Sequence, residues 1–157
     1  MEILKKPIVE NCVWKVSDFK DENEWTYHFS DDEILELENA ASQIIKKNLA
    51  PTSFSKKDFV LNKLENVLSD QLDILQQGRG FIRLRGIQPE KYDELTLQTI
   101  YWGVCSHFGS GIPQNSKGEL MSGVKDYGDK LKSDNPYREG IRPVSYTHLT
   151  LPTIAIV

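Results

Sequence analysis

The fold of this chain is decided by residues 78–126, which read GRGFIRLRGIQPEKYDELTLQTIYWGVCSHFGSGIPQNSKGELMSGVKD. The apolar residues 81–84 lie between glycines, a pattern that predicts a short buried strand with a tight turn on either side. The apolar spacing that follows predicts a helix over about residues 92–108. Residues 120–124 form a second strand-like run. We therefore expect a strand–helix–strand unit in this part of the chain.

Two further helices are predicted before this unit. Ser30 is a good N-terminal cap for the first, and Glu33 can complete a capping box three residues later. The second is expected to be capped within residues 55–58, and Gly78 is placed to end it in a left-handed conformation. Both have apolar stripes at helical spacing. The stripes are Ile34, Leu35, Leu37, Ala40, Ala41, Ile44 and Ile45 in the first, and Phe59, Leu61, Leu64, Leu68, Leu72 and Leu75 in the second.

The N-terminal residues are predicted to be extended. Residues 12–16 have the pattern of a short strand. Trp25, Tyr27 and Phe29 alternate along the chain, which indicates an extended segment that presses three aromatic rings onto one surface.

Composition and charge narrow the class of protein. The 157 residues are enough for one domain with its own core. The net charge of −4 gives no basis for binding nucleic acid, and no run of about 18 apolar residues predicts a membrane span. The two cysteines, Cys12 and Cys105, are far apart and lack the spacing of a metal site, which suits a reducing compartment. We therefore expect a cytoplasmic protein.

Arg83 and Arg85 lie on the same face of the predicted strand, because side chains alternate along a strand. Such a pair can clamp an anion or form salt bridges at a sheet edge. Since no phosphate-binding glycine loop with a lysine accompanies it, the pattern favours salt bridges. Cys105 and His107 lie about 200° apart on a helix, so they cannot bind one metal ion together.

Three segments resemble the taurine dioxygenase-like (TauD/TfdA-type) oxygenases, which depend on iron(II) and 2-oxoglutarate. They are GRGFIRLRG, IYWGVCSHFG, and PQNSKGEL followed by VKDYG. Their order is more specific than any single segment. Together with the helical segments before them, the resemblance covers roughly residues 14–141.

The resemblance implies an α+β chain that forms the N-terminal part of a double-stranded β-helix, the jelly-roll fold of clavaminate synthase-like proteins. Residues 1–143 would be a partial oxygenase domain, with a helical lead-in over 1–77 and the start of the jelly roll over 78–143. In this family the loop after the third helix approaches the iron site, which points to Gln114 and Asn115 as substrate-binding residues. The same residues also suit an ordinary turn.

The family oxidises a C–H bond of a small organic substrate while 2-oxoglutarate is decarboxylated to succinate. A His-x-Asp/Glu pair and a distant second histidine hold the iron(II), and an arginine that comes later in the chain binds 2-oxoglutarate. Here His148 falls near the place of the first histidine, but Thr150 stands where the carboxylate is required. We therefore expect no catalytic, metal-binding or cofactor-binding residue in this chain.

The last residues, 144–157, differ in character from the rest. They read VSYTHLTLPTIAIV and contain no charged residue, although charged residues make up 27% of the chain. The segment resembles a translated sequencing-library adapter, so we expect native sequence to end at about Arg142 and residues 144–157 to be a non-native tail. A genuine strand over residues 150–157 is the alternative interpretation.

These observations lead to one functional hypothesis and one alternative. The first is an N-terminal fragment of an iron(II)- and 2-oxoglutarate-dependent dioxygenase, inactive alone, whose full-length form acts on a small molecule. The alternative is a non-catalytic soluble module that binds a partner through its aromatic segment.

Overall fold

The computed structural model describes residues 9–113, 118–121 and 153–156, the last of these through the backbone alone. The chain divides into two compact units, residues 1–110 with 151–157 and residues 111–150, and every helix and strand described below belongs to the first. The helices are α1 (Asp31–Lys46), α2 (Lys63–Gln77) and α3 (Glu94–Phe108), and the strands are β1 (Thr26–His28), β2 (Phe81–Arg85) and β3 (Thr153–Ile156). No helix in the described part of the chain has the length and apolar character needed to cross a bilayer.

The three strands form one parallel sheet in the order β1-β2-β3. Parallel neighbours need a long crossover, and α1 and α2 supply it between β1 and β2. Ile82 and Leu84 of β2 are buried, whereas the alternate residues Phe81, Arg83 and Arg85 are half-buried on its other face. The mixed helix and strand content agrees with the predicted class, and the jelly roll stays a prediction.

Helix α1 begins as the sequence predicts. The Ser30 hydroxyl accepts a hydrogen bond from the Glu33 backbone N–H at 3.4 Å, and Glu33 Oε2 accepts from the Ser30 N–H at 2.8 Å. Leu37 and Ile44 are buried on the core face, but Leu35 is 54% exposed. Leu35 was expected on the apolar stripe; it lies two residues from Leu37, about 200° around the helix, and therefore faces away.

Helix α2 differs from its prediction at both ends. Residues 55–58 form a separate turn, in which Asp58 accepts hydrogen bonds from the backbone and hydroxyl of Ser55, and the helix starts only at Lys63. Gly78 has a φ of −102° rather than a left-handed conformation. A Cβ at Gly78 would lie 2.7 Å from the Ile74 carbonyl oxygen, so glycine permits a close approach there.

Helix α3 agrees with its prediction. Asp93 caps it by accepting hydrogen bonds from the backbone and the hydroxyl of Thr96, both at 2.9 Å. Ile100, Gly103 and Val104 are buried where the helix packs on the core. The core also takes in residues from α1, α2, β2 and the connections between them. Its members are Phe29, Leu37, Ala40, Ala41, Ile44, Phe54, Phe59, Leu61, Leu64, Leu68, Leu75, Ile82, Leu84, Ile87, Ile100 and Val104.

The prediction of a strand over residues 12–16 is wrong. The segment leads into a 3-10 turn at Val16–Asp18, where Asp18 accepts a hydrogen bond from the Lys15 N–H at 2.7 Å. The Trp14 indole donates to the Arg79 carbonyl at 3.1 Å and packs against the rings of Phe19 and Phe81. These rings form an aromatic cluster of Trp14, Phe19, Trp25 and Phe81. Within the described residues, the segment is therefore held in place by side-chain contacts and not by backbone hydrogen bonds to a neighbouring strand.

Two further predictions concern the C-terminal part. Leu120 and Met121 form a bend, and residues 122–124 of the second predicted strand lie outside the described residues. Residues 153–156 form β3, the shorter core of the strand considered for residues 150–157, paired with β2 through residues 81–84. The boundary at 143 and the non-native origin of residues 144–157 stay predictions.

Candidate functional site

The two residues predicted to bind substrate lie outside the described part of the chain. Gln114 and Asn115 follow Pro113, the last residue described before the gap, and Gly118 follows the gap with a φ of +77°. A positive φ of this kind is typical of a turn. The role of Gln114 and Asn115 therefore stays a prediction, and the site is built below from the residues that the structure does describe.

A charged cluster occupies the face of β2 opposite Ile82 and Leu84. Arg83 Nη2 lies 2.7 Å from Glu22 Oε2, and Arg85 Nη1 lies 3.7 Å from Glu22 Oε1. Arg83 Nε also donates to the Thr26 hydroxyl at 2.9 Å. Of the two interpretations left open by the sequence, the structure shows the salt bridge, although on a central strand and not at a sheet edge.

The charge of Glu22 is stabilised by the arginine beside it. The Arg83 guanidinium beside it holds the pKa of the Glu22 carboxyl below its usual range, so this carboxylate is ionised at neutral pH. The Arg83 Nη2 atom is shielded from solvent and makes no well-aligned hydrogen bond within the described residues. Its 2.7 Å contact with Glu22 is therefore primarily ionic.

His107 is a buried residue near the end of α3. Its Nε2 lies 3.1 Å from the Phe59 carbonyl oxygen, so the neutral ring donates from this nitrogen. Its Nδ1 is buried with no partner among the described residues. Burial lowers the pKa of His107, which keeps the ring neutral. This geometry fits a core residue that ties α3 to the segment before α2.

Two tyrosine–glutamate pairs join α1 to its neighbours. The Tyr27 hydroxyl donates to Glu33 at 2.6 Å, and the Tyr92 hydroxyl donates to Glu38 at 2.7 Å. Burial, together with the accepting carboxylate, raises the pKa of each tyrosine to about 12. Both phenols stay protonated near neutral pH and serve as hydrogen-bond donors. These pairs cannot be predicted from local sequence, because each links residues of different segments.

A groove lined by both polar and apolar side chains runs between α1 and the start of α2. It has a volume of about 460 Å³ and is lined by Asp32, Glu33, Leu35, Glu36, Asn39, Ala40, Gln43, Val60, Asn62 and Lys63. Its central carboxylate, Glu36, accepts hydrogen bonds from the Asn62 N–H and, at 3.4 Å, from the Leu64 N–H. These N–H groups belong to the unsatisfied first turn of α2. Glu36 thus acts as a helix cap supplied by another helix.

The described residues do not fit an iron site. Within residues 9–113 and 118–121, no three histidine, cysteine, aspartate or glutamate side chains are grouped so that they could hold a metal ion. His28 is on β1 and His107 on α3, in separate surroundings.

Comparison with known proteins gives two relatives. The chain is 28% identical over 128 residues to FR-33289 synthase of Streptomyces rubellomurinus, which covers 82% of this chain and 38% of that protein. It is 26% identical over 133 residues to the taurine hydroxylase-like protein SAT17 of Stachybotrys chartarum, which covers 83% of this chain and 34% of that protein. No known family profile matches the chain.

The chain spans little more than a third of the length of these relatives. The similarity nevertheless runs through more than four fifths of its own residues, and one relative is named after taurine hydroxylase. The resemblance drawn from GRGFIRLRG, IYWGVCSHFG and PQNSKGEL is thereby confirmed. These relatives support a taurine dioxygenase-like family for the chain.

Proposed function

We propose that this chain is part of an iron(II)- and 2-oxoglutarate-dependent dioxygenase that hydroxylates a small organic substrate. The observation that carries the proposal is the similarity to a taurine hydroxylase-like protein over 83% of this chain. The substrate, iron(II) and 2-oxoglutarate are assigned to the full-length protein, which acts in the cytoplasm without nucleic-acid or membrane partners. The residues of this chain form the early helical and sheet part of a jelly roll.

Within such an enzyme, the described residues act as a scaffold. The core between the sheet and the three helices is closed, with Phe59, Leu84 and Val104 showing no exposed surface. Such packing fixes the end of α3 at Phe108, and with it the start of the segment that leads to Gln114 and Asn115. In the proposed function these two amides hydrogen-bond a polar substrate group.

The chain on its own is proposed to be inactive, since the described residues offer no iron ligand set. The gene sequence beyond the codon for Arg142 tests the assignment. An open frame that continues into a His-x-Asp/Glu motif and a later histidine supports it. A stop codon that directly follows the printed tail overturns it.

The second test is enzymatic. The full-length protein, with iron(II), is expected to form succinate from 2-oxoglutarate, and replacing the His-x-Asp histidine with alanine should abolish this. Gln114→Ala and Asn115→Ala should raise KM for the substrate and leave KM for 2-oxoglutarate unchanged. A full-length protein that folds and binds a partner but forms no succinate would favour the non-catalytic interaction module instead.

A further inference from the structure

The face of the sheet that carries Arg83 and Arg85 also carries a histidine. In the parallel register of β1 and β2, Thr26 is the partner of Arg83 and His28 is the partner of Arg85. Partners in neighbouring strands project to the same face, as the hydrogen bond from Arg83 to Thr26 shows. His28, an exposed residue, therefore lies beside Arg85 where both strands end. Ligands of parallel sheets characteristically bind at the carboxyl ends of the strands.

The two arginines of this cluster are compensated unequally by Glu22. Two guanidinium groups share one carboxylate, and their distances to it differ, 2.7 Å for Arg83 and 3.7 Å for Arg85. The Arg85 side chain is 42% exposed, so part of it is accessible to a ligand. Arg85 is therefore the less compensated of the two guanidinium groups.

The shape of the guanidinium group decides which ligand is favoured. Its planar fork of N–H donors matches the paired oxygens of a carboxylate, a sulfonate or a phosphate. Glu22 already places one such group against both arginines from an exposed 3-10 turn. The carboxylate of Glu22 thus marks the position that an oxyanion takes.

We propose that Arg83, Arg85 and His28 form a binding site for a small oxyanion, which Glu22 occupies in the absence of ligand. The incoming anion displaces Glu22. It then accepts hydrogen bonds from Arg85, from the buried Nη2 of Arg83 and from the His28 ring. This site is separate from Gln114 and Asn115 and does not depend on the proposed oxygenase activity.

Nuclear magnetic resonance of the whole chain tests the proposal. Sodium sulfate, sodium methanesulfonate and sodium acetate are titrated separately, with sodium chloride at equal ionic strength as the reference. We expect saturable shifts of the Arg83 Nε–H signal and of the His28 and Arg85 backbone amides. The anion that saturates at the lowest concentration identifies the preferred oxyanion. A response to none of the three, or an equal response to chloride, overturns the proposal.

Two substitutions make the test specific. Glu22→Gln removes the competing carboxylate and should tighten binding about two- to fivefold, the strength expected of an exposed ion pair. Asp70→Asn makes the same change of charge at an exposed position of α2 and should leave binding unchanged. If the Glu22→Gln variant binds the anion no more tightly than the Asp70→Asn variant does, the displacement of Glu22 is refuted.

Arg85→Gln should abolish the shifts, because it removes the more accessible guanidinium. Removing the Arg85 guanidinium should leave the fold intact, since the contact of Arg85 with Glu22 is long and exposed. If Arg85→Gln does not fold, Arg85→Lys keeps the charge without the fork and should weaken binding. Unchanged binding in a folded variant at position 85 would disprove the site.

Discussion

The contact between Gly103 and Phe59 gives the sharpest test of the packing. A Cβ atom at position 103 would lie 2.5 Å from two carbons of the Phe59 ring and 2.6 Å from a third. Carbon atoms in contact normally lie about 3.5–4.0 Å apart. Gly103→Ala therefore drives a methyl group into the ring.

The size of the effect follows from two opposing contributions. Overpacking of a core costs roughly 1–3 kcal/mol, and alanine in place of a helical glycine returns about 1 kcal/mol. Phe59 has no exposed surface and is stacked on Phe54 with the ring centroids 5.8 Å apart, so it cannot move aside easily. The upper end of the cost therefore applies, and we expect net destabilisation of about 2 kcal/mol.

Urea unfolding followed by tryptophan fluorescence measures this free energy. The midpoint should fall while the slope stays constant, because the surface exposed on unfolding is unchanged. Phe59→Leu provides the matched background, since leucine lacks the ring carbons that the new methyl group meets. In that background Gly103→Ala should cost little or nothing. The packing argument is refuted if the Gly103→Ala variant is as stable as the wild type. It is also refuted if Gly103→Ala lowers the free energy of unfolding equally in the wild-type and Phe59→Leu backgrounds.

Three further predictions concern side chains with clear partners. Since burial lowers the pKa of His107, the folded state binds its proton less readily than the unfolded state, so stability should fall as pH drops below about 6.5. His107→Gln should flatten that part of the pH profile of urea midpoints, and an unchanged profile would contradict the assignment. Glu36→Ala should cost about 1 kcal/mol of unfolding free energy through the uncapped first turn of α2, whereas Asn39→Ala in the same groove should cost none. Tyr92→Phe should cost about 1 kcal/mol in urea unfolding by removing the hydrogen bond to Glu38, and no loss would show that the bond is not retained in solution.

The helices show what local sequence can predict. The capping box of Ser30 and Glu33 and the apolar spacing of α3 are local patterns, and both predictions are correct. Residues 55–58 carry an equally good cap pattern, yet they form an isolated turn. The cap of α2 comes instead from Glu36, 26 residues from Asn62. No local pattern contains that information.

The candidate site shows the same division. Alternation along β2 correctly places Arg83 and Arg85 on one face. Their partner Glu22 is found only when β1 pairs with β2, because that pairing brings together residues 57 apart, Thr26 and Arg83. The role of Gly78 could not be predicted either, since its close approach to Ile74 depends on how the chain leaves α2. The motifs identified the relatives more readily than they predicted the contacts.

The order of strands in the sheet also affects how the protein folds. The central strand β2 has one neighbour from residues 26–28 and the other from residues 153–156. Pairings between residues so distant in sequence close large loops, and they form late and slowly. The helices and the β1–β2 pair can assemble on the ribosome once α3 has been synthesised. Until residues 153–156 have been synthesised, the second edge of β2 is open to pairing with another strand.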